Sequence, residues 1–189
     1  MADVNVYVHA VLELDRAGWP PDWTVAPTTL GEASLAVVAA MAARPPVFEG
    51  LSVSVYSSAA LDDLVLRKLT QPADPTLPDH QRGLGFGDDH AERLYRELVG
   101  EIDVTGCSYL VDPAPGEAPL PGADHEDRCV WGLFRAAMDD RPHATPILVT
   151  NDRALALQVN AEAIRASVER APWVAVSAAR FGEVLVRYR

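Results

Sequence analysis

The sequence predicts an α/β fold, a three-layer α/β/α arrangement with a mostly parallel central sheet. Two observations lead there. Short apolar runs that read as strands alternate with helix-period segments along the whole chain, the pattern of parallel strands joined by helical crossovers. In addition, the run Ile147-Leu148-Val149 ends on Thr150 and is followed at once by Asn151-Asp152-Arg153. This reads as a buried strand that presents polar residues at its carboxyl end, the edge where open α/β sheets bind ligands. The 189 residues, 49% hydrophobic, suffice for one domain with a sizeable core. No internal repeat or low-complexity segment divides them, and residues 18–30 read as a loop inserted in that domain.

Taken in order, Met1 to Val8 reads as a short first strand, and Val8 to Ala17 has helical spacing through Val11, Leu12 and Leu14. Gly18 and Pro20-Pro21 stop that helix. The loop Trp19 to Thr29 carries two tryptophans and three prolines; it is longer than most connections, and packing is the expected role of its tryptophans. Thr29 or Gly31 opens an alanine-rich helix to about Ala43, closed by Pro45-Pro46. Leu51 to Tyr56 alternates apolar residues with serine, a strand period. Ser57 or Ser58 then caps a helix over Ala59 to Leu69.

Gln71 to His80 is a proline-containing loop. Gly83-Leu84-Gly85-Phe86-Gly87 follows no predicted strand and lacks the Lys-Ser/Thr of a phosphate loop, so it reads as a turn before a helix from Asp88 to about Val99. Cys107 to Val111 is a short strand and Asp112 to Ala123 a loop. His125-Glu126-Asp127 opens a helix to about Met138, with Val130, Leu133, Phe134 and Ala137 on one face. Pro146 to Thr150 is a strand, Arg153 to Glu169 a helix with a break expected near Asn160, Trp173 to Val176 the last strand and Ala178 to Val186 the last helix.

The formal net charge of −11 repels nucleic acid at long range, so a nucleic-acid substrate needs a local basic patch or metal ions to hold it. Two cysteines are too few for a disulfide framework and point to a reducing compartment. The five histidines show no ligand spacing around them, which argues against zinc. Asp3 and Asn5 interrupt any signal-peptide core, and the apolar run Leu35 to Ala43 is too short to span a bilayer. A soluble, cytoplasmic protein without a membrane partner is therefore expected.

Asp3, Asp63, Asp127 and Asp152 each fall at or near a predicted strand–helix junction. In a parallel sheet such junctions share one edge. Four carboxylates gathered there repel one another and need a counter-charge. Mg²⁺ or Mn²⁺ supplies it, since both prefer oxygen ligands. Two such ions can activate a water and stabilise the leaving oxygen in phosphodiester cleavage.

The arrangement resembles the PIN-domain nucleases, including the VapC-type toxins of bacterial toxin–antitoxin pairs. The residues that carry the resemblance are Asp3-Val4-Asn5-Val6, Leu61-Asp62-Asp63-Leu64, Glu126-Asp127 at a helix start, and Val149-Thr150-Asn151-Asp152, with Trp173 to Val186 similar to the family's closing strand and helix. The second acid is Asp where the family usually has Glu. It is assigned to Asp63, with Asp62 as the alternative.

The resemblance implies a metal-dependent endoribonuclease in which water attacks in line and leaves 5′-phosphate and 3′-hydroxyl ends. Its metal ligands would be Asp3, Asp63, Asp127 and Asp152, with Glu126 auxiliary. Asn5, Thr150 and Asn151 would orient ligands and water, and Arg153 would contact substrate phosphate. The implied partners are RNA, a protein antitoxin and a second copy of the chain in a homodimer.

Plainer roles stand beside these. Asp152 can be an N-cap, Glu126 and Asp127 can complement a helix dipole, Asp62-Asp63 can be a solvated helix face, and Asp3 can be a frayed terminal residue. Two other functions compete. One is a binding or regulatory module with weakened catalysis. The other is a haloacid-dehalogenase-like phosphatase, disfavoured because Asn5 stands where that chemistry needs a second Asp.

Overall fold

The computed structural model describes residues 1–19, 26–42, 54–77, 82–105, 108–109, 120–140, 143–166 and 173–187. Helix, not sheet, dominates them. The elements run α1 (Val4–Ala17), α2 (Leu30–Ala42), β1 (Tyr56–Ser57), α3 (Ala59–Thr70), α4 (Asp88–Thr105), β2 (Ser108–Tyr109), α5 (His125–Asp140), β3 (Ile147–Val149), α6 (Arg153–Ala166), β4 (Val174–Val176) and α7 (Ala178–Arg187). Strands of two or three residues form two separate parallel pairs, β1 with β2 and β3 with β4.

The three-layer α/β/α architecture with a central sheet, expected from the alternation of elements, is thus corrected. After the first strand, the order of elements and the parallel sense of the strands survive, but among the described residues each strand is too short to make a layer. The core is instead assembled by helices. Buried residues from Ala2 to Ala178 join one hydrophobic cluster, to which α1, α2, α3, α4 and α5 contribute most of the side chains.

The largest shift is at the N-terminus. Only Met1 to Asp3 are extended, and α1 begins at Val4 where a strand to Val8 was expected. Asp3 has the extended backbone of an N-cap residue, and the Val6 and Tyr7 amides reach its carbonyl at 3.0 and 3.4 Å. Val4, Tyr7, Val11 and Leu14 then recur at helical spacing and are all buried. The alternation of Val4, Val6 and Val8 loses to this longer helical pattern. Gly18 ends α1 at φ +79°, with its amide bonded to the Leu14 carbonyl at 2.8 Å, the left-handed stop that glycine makes at least cost.

α2 opens with a reciprocal cap. The Thr29 hydroxyl accepts from the Glu32 amide, while Glu32 Oε2 accepts from the Thr28 and Thr29 amides. Residues Ala33 to Ala40 are buried throughout, so α2 lies inside the helical assembly, packed on α1, α4 and α7. Ser58, one of the two serines proposed as caps, holds the start of α3 by accepting from the Leu61 amide at 3.2 Å.

The Gly83–Gly87 segment has a structural explanation. The amides of Leu84, Gly85 and Phe86 bond the carbonyls of Lys68, Gln71 and Leu69 at 2.8–3.0 Å, so the segment satisfies the open end of α3. A Cβ on Gly83 would lie 2.4 Å from the Gln71 side chain and carbonyl, which leaves room for glycine alone. α4 then runs to Thr105, past the expected end near Val99. Residues 20–25 of the inserted loop, the 112–119 stretch, the strand start at 51–53 and the helix end at 167–169 lie outside the described residues.

β3 and β4 pair from Ile147↔Val174 to Val149↔Val176. Met1 to Asp3 lie on the other side of β3 and form a single parallel bridge, Ala2 with Val149. α6 runs unbroken through Asn160. That side chain donates to the Ala175 carbonyl at 3.0 Å and accepts from its amide at 2.8 Å. No helix among the described residues is long and apolar enough to cross a membrane.

Asn160→Ala leaves both backbone groups of the buried Ala175 without these partners. We expect a stability loss of about 1–3 kcal/mol, measured by urea unfolding. A loss within the error of the measurement would show that β4 does not depend on Asn160.

Candidate acidic site

The site begins with the backbone of the first three residues. The Met1 ammonium donates to the Ile147 carbonyl at 3.0 Å. The Val149 amide donates to the Met1 carbonyl, and the Asp3 amide to the Val149 carbonyl, each at 2.9 Å. These bonds put the Asp3 side chain beside the carboxyl end of β3, where Thr150 waits. The Thr150 hydroxyl donates to Asp3 Oδ2 at 2.7 Å and accepts from the Asp152 amide at 3.0 Å. One buried hydroxyl therefore fixes Asp3 and the turn that carries Asp152 together. Asp3 and Thr150 are 2% and 1% exposed, so this junction is closed to bulk water.

Asp152 caps α6. Its Oδ1 accepts from the Ala154 and Leu155 amides at 2.6 and 2.9 Å. Its charge still acts on Asp127, which lies in the first turn of α5. That turn is capped in the same way by Asp124, whose Oδ1 accepts from the Asp127 amide at 2.9 Å. Glu126, on the same turn, is held by Lys68 of α3, with Nζ 3.4 Å from Oε2.

Crowding shows in the proton affinities. Burial, above all, pushes Asp3 up to about 7 against the pull of the Thr150 hydrogen bond, and the charges of Glu126 and Asp127 add to the rise. Asp127 is also pushed up to about 7, by burial first and then by Asp124, Asp152 and Glu126. Glu126 is raised by burial, with Lys68 opposing. The charges of Glu126 and Asp127 thus act on Asp3, and those of Asp124, Asp152 and Glu126 act on Asp127.

Other sequence candidates stand apart from it. Asp63 is exposed on α3. Asp62 is half-buried and accepts from the Tyr95 hydroxyl at 2.6 Å and from Ser57 Oγ at 3.5 Å, a link between α3 and α4. Neither is among the charges that raise Asp3 and Asp127. The Asn151 side chain donates to Ser34 Oγ at 3.0 Å and accepts from the Ala178 amide at 3.3 Å, which ties the β3 end to α2 and α7. Asn5 is half-buried in the first turn of α1, and Arg153 is exposed at the first position of α6.

Sequence reasoning missed Lys68 and Asp124. Lys68 was visible in the pattern, because it continues the apolar stripe Leu61, Leu64, Val65 and Leu69 and is buried with it. Asp124 stands three residues before Asp127, the spacing of a cap and its amide partner.

The donor set is all oxygen, the ligand type that a hard divalent cation prefers. Among the described residues, no three His, Cys, Asp or Glu side chains already converge on one point that could hold a metal ion. Asp152 is turned to the α6 amides and Glu126 to Lys68. Comparison of the chain with protein-family models, curated proteins and solved structures finds no match.

Asp3 and Asp127 keep their protons to about pH 7 when folded, whereas their ordinary value is 3.8. Between those values the folded state binds more protons than the unfolded state, so this contribution to stability is complete below 3.8 and is lost as pH rises through about 7. In metal-free buffer, Asp3→Asn should therefore flatten the fall in urea midpoint between about pH 5 and about pH 8. A profile parallel to that of the wild type would remove Asp3 as a source of the fall.

Proposed function

We propose that the chain is a Mg²⁺- or Mn²⁺-dependent endoribonuclease. The observation that supports this reading is the buried Asp3, bonded through the Thr150 hydroxyl to the turn that carries Asp152, with the charges of Glu126 and Asp127 acting on it. The reading rests on these acids and on the resemblance of the motifs to PIN-type nucleases. It does not rest on the layered architecture, which the described residues do not form.

The metal would be held by Asp3, Asp127 and Asp152, with Glu126 adjacent. When bound, it supplies Lewis-acid activation of water and charge to stabilise the leaving oxygen. The chain's own residues do the rest. Thr150 fixes the orientation of Asp3 and of the Asp152 turn. Asp127, half-buried in the first turn of α5, would present its carboxylate to the metal. Water oxygen bonds to phosphorus as the P–O3′ bond breaks, and the 3′-oxygen takes up a proton. Arg153, exposed beside Asp152, is available to an RNA phosphate on a surface otherwise repellent to it. A toxin role with a protein antitoxin and a homodimeric assembly belong to the same proposal.

One observation favours a second reading, a metal-free binding or regulatory module. Asp152 and Glu126 are already engaged by the α6 amides and by Lys68. The same assay separates the two.

Asp152→Asn retains a good helix cap but removes a charged ligand. The expected result is Mn²⁺-dependent cleavage of an RNA oligonucleotide by the wild type, abolished by chelator. In Asp152→Asn it should fall by about a hundredfold or more, with little change in thermal midpoint. Equal cleavage by both proteins would remove the nuclease reading, and no cleavage by either would favour the regulatory module.

A further inference from the structure

We propose that His90 is a pH-responsive clasp between α1 and α4: when its ring becomes charged, Arg93 passes from His90 to Glu97 while the ring stays with Asp15. The inference is independent of the metal reading. It concerns the end of α1 opposite Asp3.

Geometry carries the argument. His90 lies in the first turn of α4. Its Nε2 is 3.2 Å from Asp15 Oδ1, near the end of α1, and the two side chains are 40% and 41% exposed. Its Nδ1 is 3.1 Å from Arg93 Nη2. The Phe86 ring meets the imidazole edge to face, with centroids 5.1 Å apart. The ring is thus engaged at both nitrogens and packed against an aromatic neighbour.

The partners fix the position of the proton. A guanidinium donates and cannot accept. Nδ1 therefore keeps its lone pair in this arrangement, and the single ring proton is on Nε2, the nitrogen beside Asp15. His90 here is a neutral bridge between a cation and an anion. A second proton can go only to Nδ1, where it meets the Arg93 N–H groups. Donor then faces donor and positive charge faces positive charge, so Arg93 has to leave. Another acceptor is close: Arg93 Nη1 is already 3.8 Å from Glu97 Oε2, one turn further along α4. The charged ring and Asp15 become a full ion pair.

The surrounding charges permit this exchange. Asp88 and Asp89 open α4 just before His90 and are acidic. Arg16, next to Asp15, is paired with Glu13, and Arg96 is paired with Glu92. Those two arginines are committed to their own acids, which leaves Arg93 as the cation that answers the charge of the ring.

The test is nuclear magnetic resonance of the full chain. It follows the His90 ring nitrogens and the Glu97 carboxyl carbon from about pH 5 to about pH 8, the span in which histidine changes charge. In the wild type the neutral ring should carry its proton on Nε2, and the Glu97 signal should step at the pH where the ring becomes charged. His90→Gln keeps an acceptor for Arg93 but takes up no proton in this span, so the step at Glu97 should vanish. Arg93→Ala should raise the pH at which the ring becomes charged by about 0.3 or more, and Asp15→Asn should lower it by about 0.3 or more.

A neutral ring protonated on Nδ1 would overturn the proposal. So would a wild-type Glu97 signal without the step, a step that persists in His90→Gln, or a ring that becomes charged at the same pH in the wild type and in either of the other variants. The two wild-type readings decide by themselves if a variant does not fold.

Discussion

The pairing of Met1 to Asp3 with β3 is the constraint on which the candidate site depends. Three main-chain hydrogen bonds between these segments do what a full strand does in a larger sheet. They fix the height at which Asp3 leaves the extended backbone and becomes the cap of α1. Because the peptide chain turns helical at Val4, the acid is delivered where the sheet ends and the helix begins. Thr150 then locks the side chain in place. A displacement of one residue in this pairing would point Asp3 away from Thr150, since alternate residues face opposite sides.

Charge balance is the second theme. The chain is acidic overall, yet its acids are treated unequally. Those at Asp152 and Asp124 are absorbed by helix amides, and Glu126 by a buried lysine. Asp3 and Asp127 hold protons to near neutrality, chiefly because they are withdrawn from water and then because other acids lie near. Sorting acids into compensated and uncompensated ones tells more about the site than the count of carboxylates. It explains how an acidic cluster coexists with the absence of a preassembled metal cage among the described residues.

Much of the site was legible from sequence because it lies at element ends. The Thr150-Asn151-Asp152 turn, the helix opening at His125 and the paired acids there stand where the apolar periodicity breaks. The layered sheet was misread because the alternation of elements reports connectivity, not strand length, and strands of two or three residues leave the burying to helices. Asp3 was assigned to a strand edge, yet the apolar spacing through Leu14 makes it a helix cap. Asn151 and Asp62 have tertiary partners, Ser34 and Tyr95, that lie far away in sequence and leave no local signal. Lys68 stands on the apolar stripe of α3, an anomaly in the sequence that asks for a buried partner.

The Asn160 side chain has a consequence beyond holding α6 to the sheet. Its amide imitates the donor and acceptor of a neighbouring strand and occupies both outward groups of Ala175, at the open side of β4. A strand edge with unused amides and carbonyls invites a strand from another molecule; here the middle of the edge is already taken. A strand from another molecule that approached β4 here would meet the Asn160 amide at Ala175, and the edge is blunted against templated pairing at that position.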